Sequence, residues 1–219
     1  MYLSRLILNP HSRQVQAEVA SPYEMHRTIM RAFPDSLEQD EERVLFRLEG
    51  EPAFGGLVLL VQSLEKPDWS WFSEPKRATY LLPLAECGAG IRRNPETKSF
   101  GLEIPDGRLL SFRLRANPTV KRNGKRQGLY REAEQLDWLA RKGEQGGFRI
   151  VAARTSRKDL AHGWIHKEGT THRLELLAVQ FDGILQVTGA ARFQETVRRG
   201  VGSGKGLGFG LLSLAPVPR

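Results

Sequence analysis

Arg108-Leu109-Leu110-Ser111-Phe112-Arg113-Leu114-Arg115-Ala116 sets Phe112 and Leu114 in alternation with Arg113 and Arg115. A period of two belongs to a strand with one buried and one solvated face, and here the solvated face is cationic. Working outward, Arg131 to Lys142 gathers Leu136, Leu139 and Ala140 on one side of a helix, and Phe148 to Ala152 reads as a strand. Arg173 to Thr188 has the pattern of a hairpin turning at Asp182-Gly183. Ala190 to Arg199 follows as a short helix and Leu207 to Leu214 as a last strand. The order β-α-β-β-α-β is that of the ferredoxin-like, RRM-like unit.

The first half reads as a decayed copy. Tyr2 to Leu8 is a strand, and Ser21-Pro22-Tyr23-Glu24 opens a helix with Ser as N-cap, Pro at the first helical position and Glu at the third. That helix runs from about Pro22 to Phe33 and stops at Pro34. Arg43 to Leu48 and Leu57 to Gln62 are strands. From Glu65 to Phe100 the periodicity is poor, and Trp69, Trp71 and Phe72 among Pro67 and Pro75 predict an irregular segment packed by its aromatics. Asn94-Pro95 to Pro105-Asp106-Gly107 marks the boundary. The expected architecture is α+β: tandem ferredoxin-like domains, 1–100 and 101–219, the second ending in a glycine-rich loop.

That loop is Gly200, Gly202, Gly204, Gly206, Gly208 and Gly210 in unbroken alternation, with Lys205 in the middle. Glycine has the highest entropic cost of ordering, so such a run suits backbone that must lie close against something side chains would block. Side-chain-free N–H groups form anion-binding concavities, and Arg198, Arg199 and Lys205 add charge there. A Walker loop is excluded by spelling, since it needs Gly at the place of Arg199 and Ser or Thr at that of Gly206. No register gives G-x-G-x-x-G, and Val201 before Ser203 excludes a serine-hydrolase elbow.

Composition fits a polyanionic partner. The chain has 219 residues, a net charge of +8 and more Arg than Lys. Between Arg113 and Lys158 stand thirteen Lys/Arg against four acids, so this segment carries the positive balance. The single Cys87 excludes an internal disulfide framework and a Cys-based zinc finger. No signal-like N-terminus or bilayer-length apolar run is present, so the expected setting is cytoplasmic, without a membrane.

Taken together, several motifs resemble the CRISPR repeat-processing endoribonucleases of the RAMP superfamily, of the CasE type. They are the first strand followed by Asn9-Pro10; Pro22-Tyr23-Glu24-Met25-His26-Arg27-Thr28; Phe112-Arg113-Leu114-Arg115-Ala116-Asn117-Pro118 followed by Gly124-Lys125-Arg126; and Arg198-Arg199-Gly200-Val201-Gly202 through Leu212. The resemblance covers nearly the whole chain. It implies tandem ferredoxin-like domains and metal-independent, cofactor-free cleavage of a CRISPR repeat hairpin RNA. It also implies retention of the product in Cascade beside other protein subunits. The family's catalytic Tyr and His fall on Tyr23 and His26, and a further basic residue of that helix falls on Arg31, where relatives carry Lys. Arg154 to Ala161 matches the basic segment that enters the RNA groove.

The residues themselves support this chemistry. Tyr23 and His26 are three apart, hence neighbours near the positive end of a helix, with Arg27 and Arg31 on an adjoining face. RNA supplies its own nucleophile, the 2′-OH, so the protein needs only to align attack, move protons and stabilise charge. Spacing alone does not divide acid and base roles between Tyr23 and His26. The expected RNA-binding set is Arg27, Arg113, Arg115, Lys121, Arg122, Lys125, Arg126, Arg154, Arg157, Lys158, Arg199, Gly200, Gly202, Gly204 and Lys205. Lys121 to Arg126 reads as a mobile cationic loop, and Arg154, Arg157 and Lys158 as the tip between two strand signals. His162, His166 and His172 lack a ligand set, and no metal site is expected. The rival is a non-catalytic subunit that clamps guide RNA, for which Tyr23 and His26 would have no use.

Overall fold

The computed structural model describes residues 1–34, 44–51, 56–167 and 170–218. They divide into two compact units, Met1–Gly101 and Leu102–Arg219, both mixing helices with antiparallel sheet.

The first unit comprises β1 (Tyr2–Leu8), α1 (Arg13–Ala20), α2 (Pro22–Met30), β2 (Leu45–Glu51), β3 (Gly56–Ser63) and β4 (Glu96–Ser99). Its sheet order is β2-β3-β1-β4, every pairing antiparallel. Alternation along β1 serves two cores. Leu6 and Leu8 join Val15, Met25, Ile29, Phe46, Leu59 and Val61, while Ile7 joins Val58, Leu82 and Cys87. Met25 and Ile29 are one helical turn apart, which is why α2 lies on the sheet along that stripe.

Three details of this half depart from the sequence reading. Ser21 offers no side-chain cap; it also closes α1, its N–H bonding the carbonyls of Ala17 and Glu18. The helix α1, with Val15 as its one fully buried apolar residue, lacks the apolar stripe that would announce it. The helix α2 stops at Met30, and Arg31, Ala32 and Phe33 close tighter turns onto Thr28, Ile29 and Met30 before Pro34. The expected strand start at Arg43 lies outside the described residues.

The irregular stretch is indeed held by aromatics. Phe72 stacks on Trp71 at 3.9 Å and on Tyr80 at 4.9 Å, and Trp69 Nε1 donates to Ser4 Oγ at 3.1 Å. The Asn94 amide accepts from Ile7 N–H at 2.8 Å and donates to the carbonyls of Ile7 and Leu82, fastening the segment to β1.

The second unit comprises β5 (Leu109–Ala116), β6 (Thr119–Arg122), β7 (Lys125–Gly128), α3 (Glu132–Gln145), β8 (Phe148–Lys167), β9 (Thr170–Val187), α4 (Ala190–Arg199) and β10 (Leu212–Pro216). Its main sheet runs β10-β5-β9-β8, again antiparallel, over a core that includes Leu114, Trp138, Phe148, Phe181 and Phe193.

Here three expectations are corrected. Asp182-Gly183 is no turn but the middle of β9, where each residue is paired on both sides. Asp182 spends its carboxylate on Arg113, Ser156 and Gln180 rather than on a turn. At Gly183 a β-carbon would lie 2.1 Å from the Ala152 carbonyl oxygen, beside a bulge in β8, so glycine marks a close approach. Consequently the strand begun at Phe148 runs to Lys167, and Arg154, Arg157 and Lys158 sit within β8, not at a tip. Finally, Lys121 to Arg126 is a hairpin, β6 paired with β7 around Asn123-Gly124, both at positive φ (50° and 77°). Among the described residues, no helix is long and apolar enough to cross a membrane.

Candidate active site and nucleic-acid interface

The first turns of α2 carry Tyr23 and His26. Tyr23 is 40% exposed, whereas His26 is largely withdrawn, its ring 6.1 Å from Phe46 of β2. Burial in these apolar surroundings holds the imidazole below its ordinary pKa of 6.5, so the neutral form, a proton acceptor, prevails at neutral pH. Arg27 lies at the surface, 3.1 Å from Glu24. Arg31 caps the end of α2 and reaches over the Trp71 ring.

What fixes α2 was not foreseen. Glu18 of α1, buried, accepts from Thr28 Oγ1 of α2 at 2.7 Å, from the Tyr80 hydroxyl at 2.6 Å and from Gln14 at 2.6 Å. Burial and the adjacent carboxylate push the Tyr80 hydroxyl far up, keeping it a donor. One carboxylate thus ties both helices to the irregular segment. No spacing rule links residues 18, 28 and 80.

In the second unit the basic strand residues come with partners. Arg113 Nε stands 2.5 Å from Asp182, and Arg115 3.0 Å from Asp159, with its guanidinium also over Phe209. The β6–β7 hairpin exposes Lys121, Arg122, Lys125 and Arg126. Tyr130 beside it is 68% exposed, an aromatic outside the apolar period. Arg154 and Lys158 are exposed on β8; the side chain of Arg157, like those of His162, His166 and His172, lies outside the described residues. Among the described residues no cluster of His, Cys, Asp or Glu has the makings of a metal site.

The glycine loop lies close against the protein's own atoms. A β-carbon at Gly204 would stand 2.8 Å from the Phe209 ring, one at Gly202 3.2 Å from Trp138, and one at Gly210 3.0 Å from the Val201 carbonyl. Gly200, Gly202, Gly204, Gly208 and Gly210 all take positive φ, which side chains disfavour. Val201 and Gly210 bond within the domain, to Gly210 O and Arg115 O. The N–H groups of Gly202, Ser203 and Gly204 are left without a protein acceptor among the described residues, in partly exposed backbone. Arg199, at the end of α4, pairs with Glu195.

These features define an α+β protein with an exposed cationic hairpin and, on a helix of its other unit, a tyrosine and a histidine one turn apart. The chain belongs to the CRISPR-associated protein family, whose model matches residues 1–216. It is 38% identical to the CRISPR-associated endoribonuclease Cse3 of Thermus thermophilus, over 99% of this chain and all of that one. It is 28% identical to the Cascade subunit CasE of Escherichia coli, with the same coverage. Among solved structures, the CRISPR endoribonuclease Cse3 bound to a 19-nucleotide RNA superposes with a TM-score of 0.80 at 37% identity, covering 99% of this chain and 100% of that one.

Proposed function

We propose that this chain is a metal-independent endoribonuclease that binds the CRISPR repeat hairpin, cleaves precursor CRISPR RNA and keeps the product within Cascade beside other protein subunits. The observation that carries this reading is α2. It presents a phenol and a half-buried, neutral imidazole one turn apart in a chain similar over its full length to an endoribonuclease.

In this reading His26 accepts the proton of the 2′-OH as its oxygen attacks phosphorus. The new P–O2′ bond displaces the 5′ oxygen, leaving a 2′,3′-cyclic phosphate, and the leaving oxygen takes a proton. Tyr23 supplies that proton or orients the scissile phosphate, and Arg31 stabilises the charge gathering on it. Arg27, Arg113, Arg115, Lys121, Arg122, Lys125, Arg126, Arg154, Arg157, Lys158, Arg199 and Lys205 hold RNA phosphates. The backbone around Gly200, Gly202 and Gly204 adds the free N–H groups of residues 202–204.

Both units are taken as ferredoxin-like domains, 1–100 and 101–219. The orders β4-β1-β3-β2 and β10-β5-β9-β8 are the same arrangement of first, second, third and fourth strand. Incubation with a repeat hairpin RNA in EDTA tests the function. Cleavage that a single 2′-deoxy substitution at the cut site abolishes is the expected result; tight binding with no cleavage would favour the guide-RNA clamp instead.

A further inference from the structure

Arg31 leaves the end of α2 with its guanidinium carbon 4.9 Å from the centroid of the Trp71 ring, and Arg77 brings its own within 5.4 Å of the same ring. The indole is fixed by its stack on Phe72. Attraction to the π-face explains either cation singly. It does not explain two full positive charges on one ring, since they repel each other.

Several other arginines are matched with acids: Arg5 with Glu96, Arg47 with Glu49, Arg113 with Asp182, Arg115 with Asp159. Arg31 and Arg77 form no ion pair among the described residues. Two guanidiniums gathered by an aromatic plate suit an anion with two acceptor oxygens, and a phosphodiester presents two non-bridging oxygens.

We propose that Arg77 is a second phosphate-binding residue of the cleavage site, clamping one RNA phosphate together with Arg31, and that Trp71 positions both. The proposal rests on α2 being the cleavage helix: five residues of helical rise set Arg31 roughly 7.5 Å along the axis from His26.

The test is single-turnover cleavage of a repeat hairpin RNA by excess protein, comparing wild type, Arg31→Ala, Arg77→Ala, Arg77→Lys and the double alanine variant. Thermal unfolding is followed in parallel. Arg77→Ala is expected to slow cleavage fivefold or more at saturating protein and to lower the salt slope of binding by about 0.7, a readout that a purely structural residue leaves unmoved. Arg77→Lys restores only part of the rate, and the double variant falls little below the worse single one. If Arg77→Ala unfolds early, Arg77→Gln and Arg77→Lys carry the same comparison. A rate within fivefold of wild type for Arg77→Ala, with Arg31→Ala impaired, overturns the clamp and leaves α2 as the cleavage helix. Fully multiplicative losses in the double variant also overturn it, by assigning the two cations to separate phosphates. Arg31→Ala and Arg77→Ala both unimpaired would sink the reading of α2 itself.

Discussion

His26 is where burial and chemistry meet. With its pKa held below 6.5 by burial, cleavage that depends on the neutral imidazole rises with pH and reaches its plateau at lower pH than an exposed histidine would give. Substituting His26 by Ala is expected to reduce single-turnover cleavage by at least a hundredfold while repeat-RNA binding stays within a few-fold, measured by gel shift beside the rate. The same residue makes stability pH-dependent. Below about pH 6.5 the unfolded chain binds a proton at His26 that the folded chain refuses until its lower pKa is reached. Stability therefore declines as pH falls through that interval, and His26→Gln removes that part of the decline in melting temperatures measured from pH 7 to 5. Tyr23, His26 and Arg31 were legible as candidates from their spacing and from the resemblance. Arg77 was not, because its relation to Arg31 passes through a ring 40 residues away from Arg31 in sequence.

At the scale of elements, the position of α2 depends on Glu18. Replacing Glu18 by Ala strands the Thr28 and Tyr80 hydroxyls in the interior, an expected loss of roughly 2–4 kcal/mol, read as a lower denaturant midpoint together with slower cleavage. Periodicity found β1, β2, β3, β5 and α2 from their apolar patterns; it missed α1, whose only fully buried apolar residue is Val15, and the polar strands β4, β6 and β7. The error at Asp182-Gly183 has a different origin. The dipeptide carries the signature of a turn, yet the bulged backbone of β8 requires a residue without a side chain at that point, and the Arg113 and Ser156 donors require a carboxylate. Local chemistry was right about both residue types and wrong about the reason for them. The glycine loop is a similar case: its spelling announced a close approach, and Trp138 and Phe209 are among the groups approached.

Over the whole molecule, the concentration of positive charge between Arg113 and Lys158 was legible as a polyanion-binding feature, and the fold distributes it over β5, the β6–β7 hairpin and β8. If the four hairpin cations each neutralise a phosphate, replacing Lys121, Arg122, Lys125 and Arg126 together by Ala reduces the steepness of log K against log salt by about 3. Filter binding of the repeat RNA across a salt series measures it. Stability should change little, because these side chains are exposed.

Arg113 and Arg115, by contrast, already hold Asp182 and Asp159. If these two take hold of RNA, the binding is an exchange: a phosphate must displace a carboxylate that never diffuses away. The acids act as resident competitors, and they tax every polyanion alike. An RNA already held by other contacts presents its phosphates at high effective concentration and meets that competition better than a free anion does. On that reading, a face that looks strongly basic in the sequence is kept from free anions by its own acids.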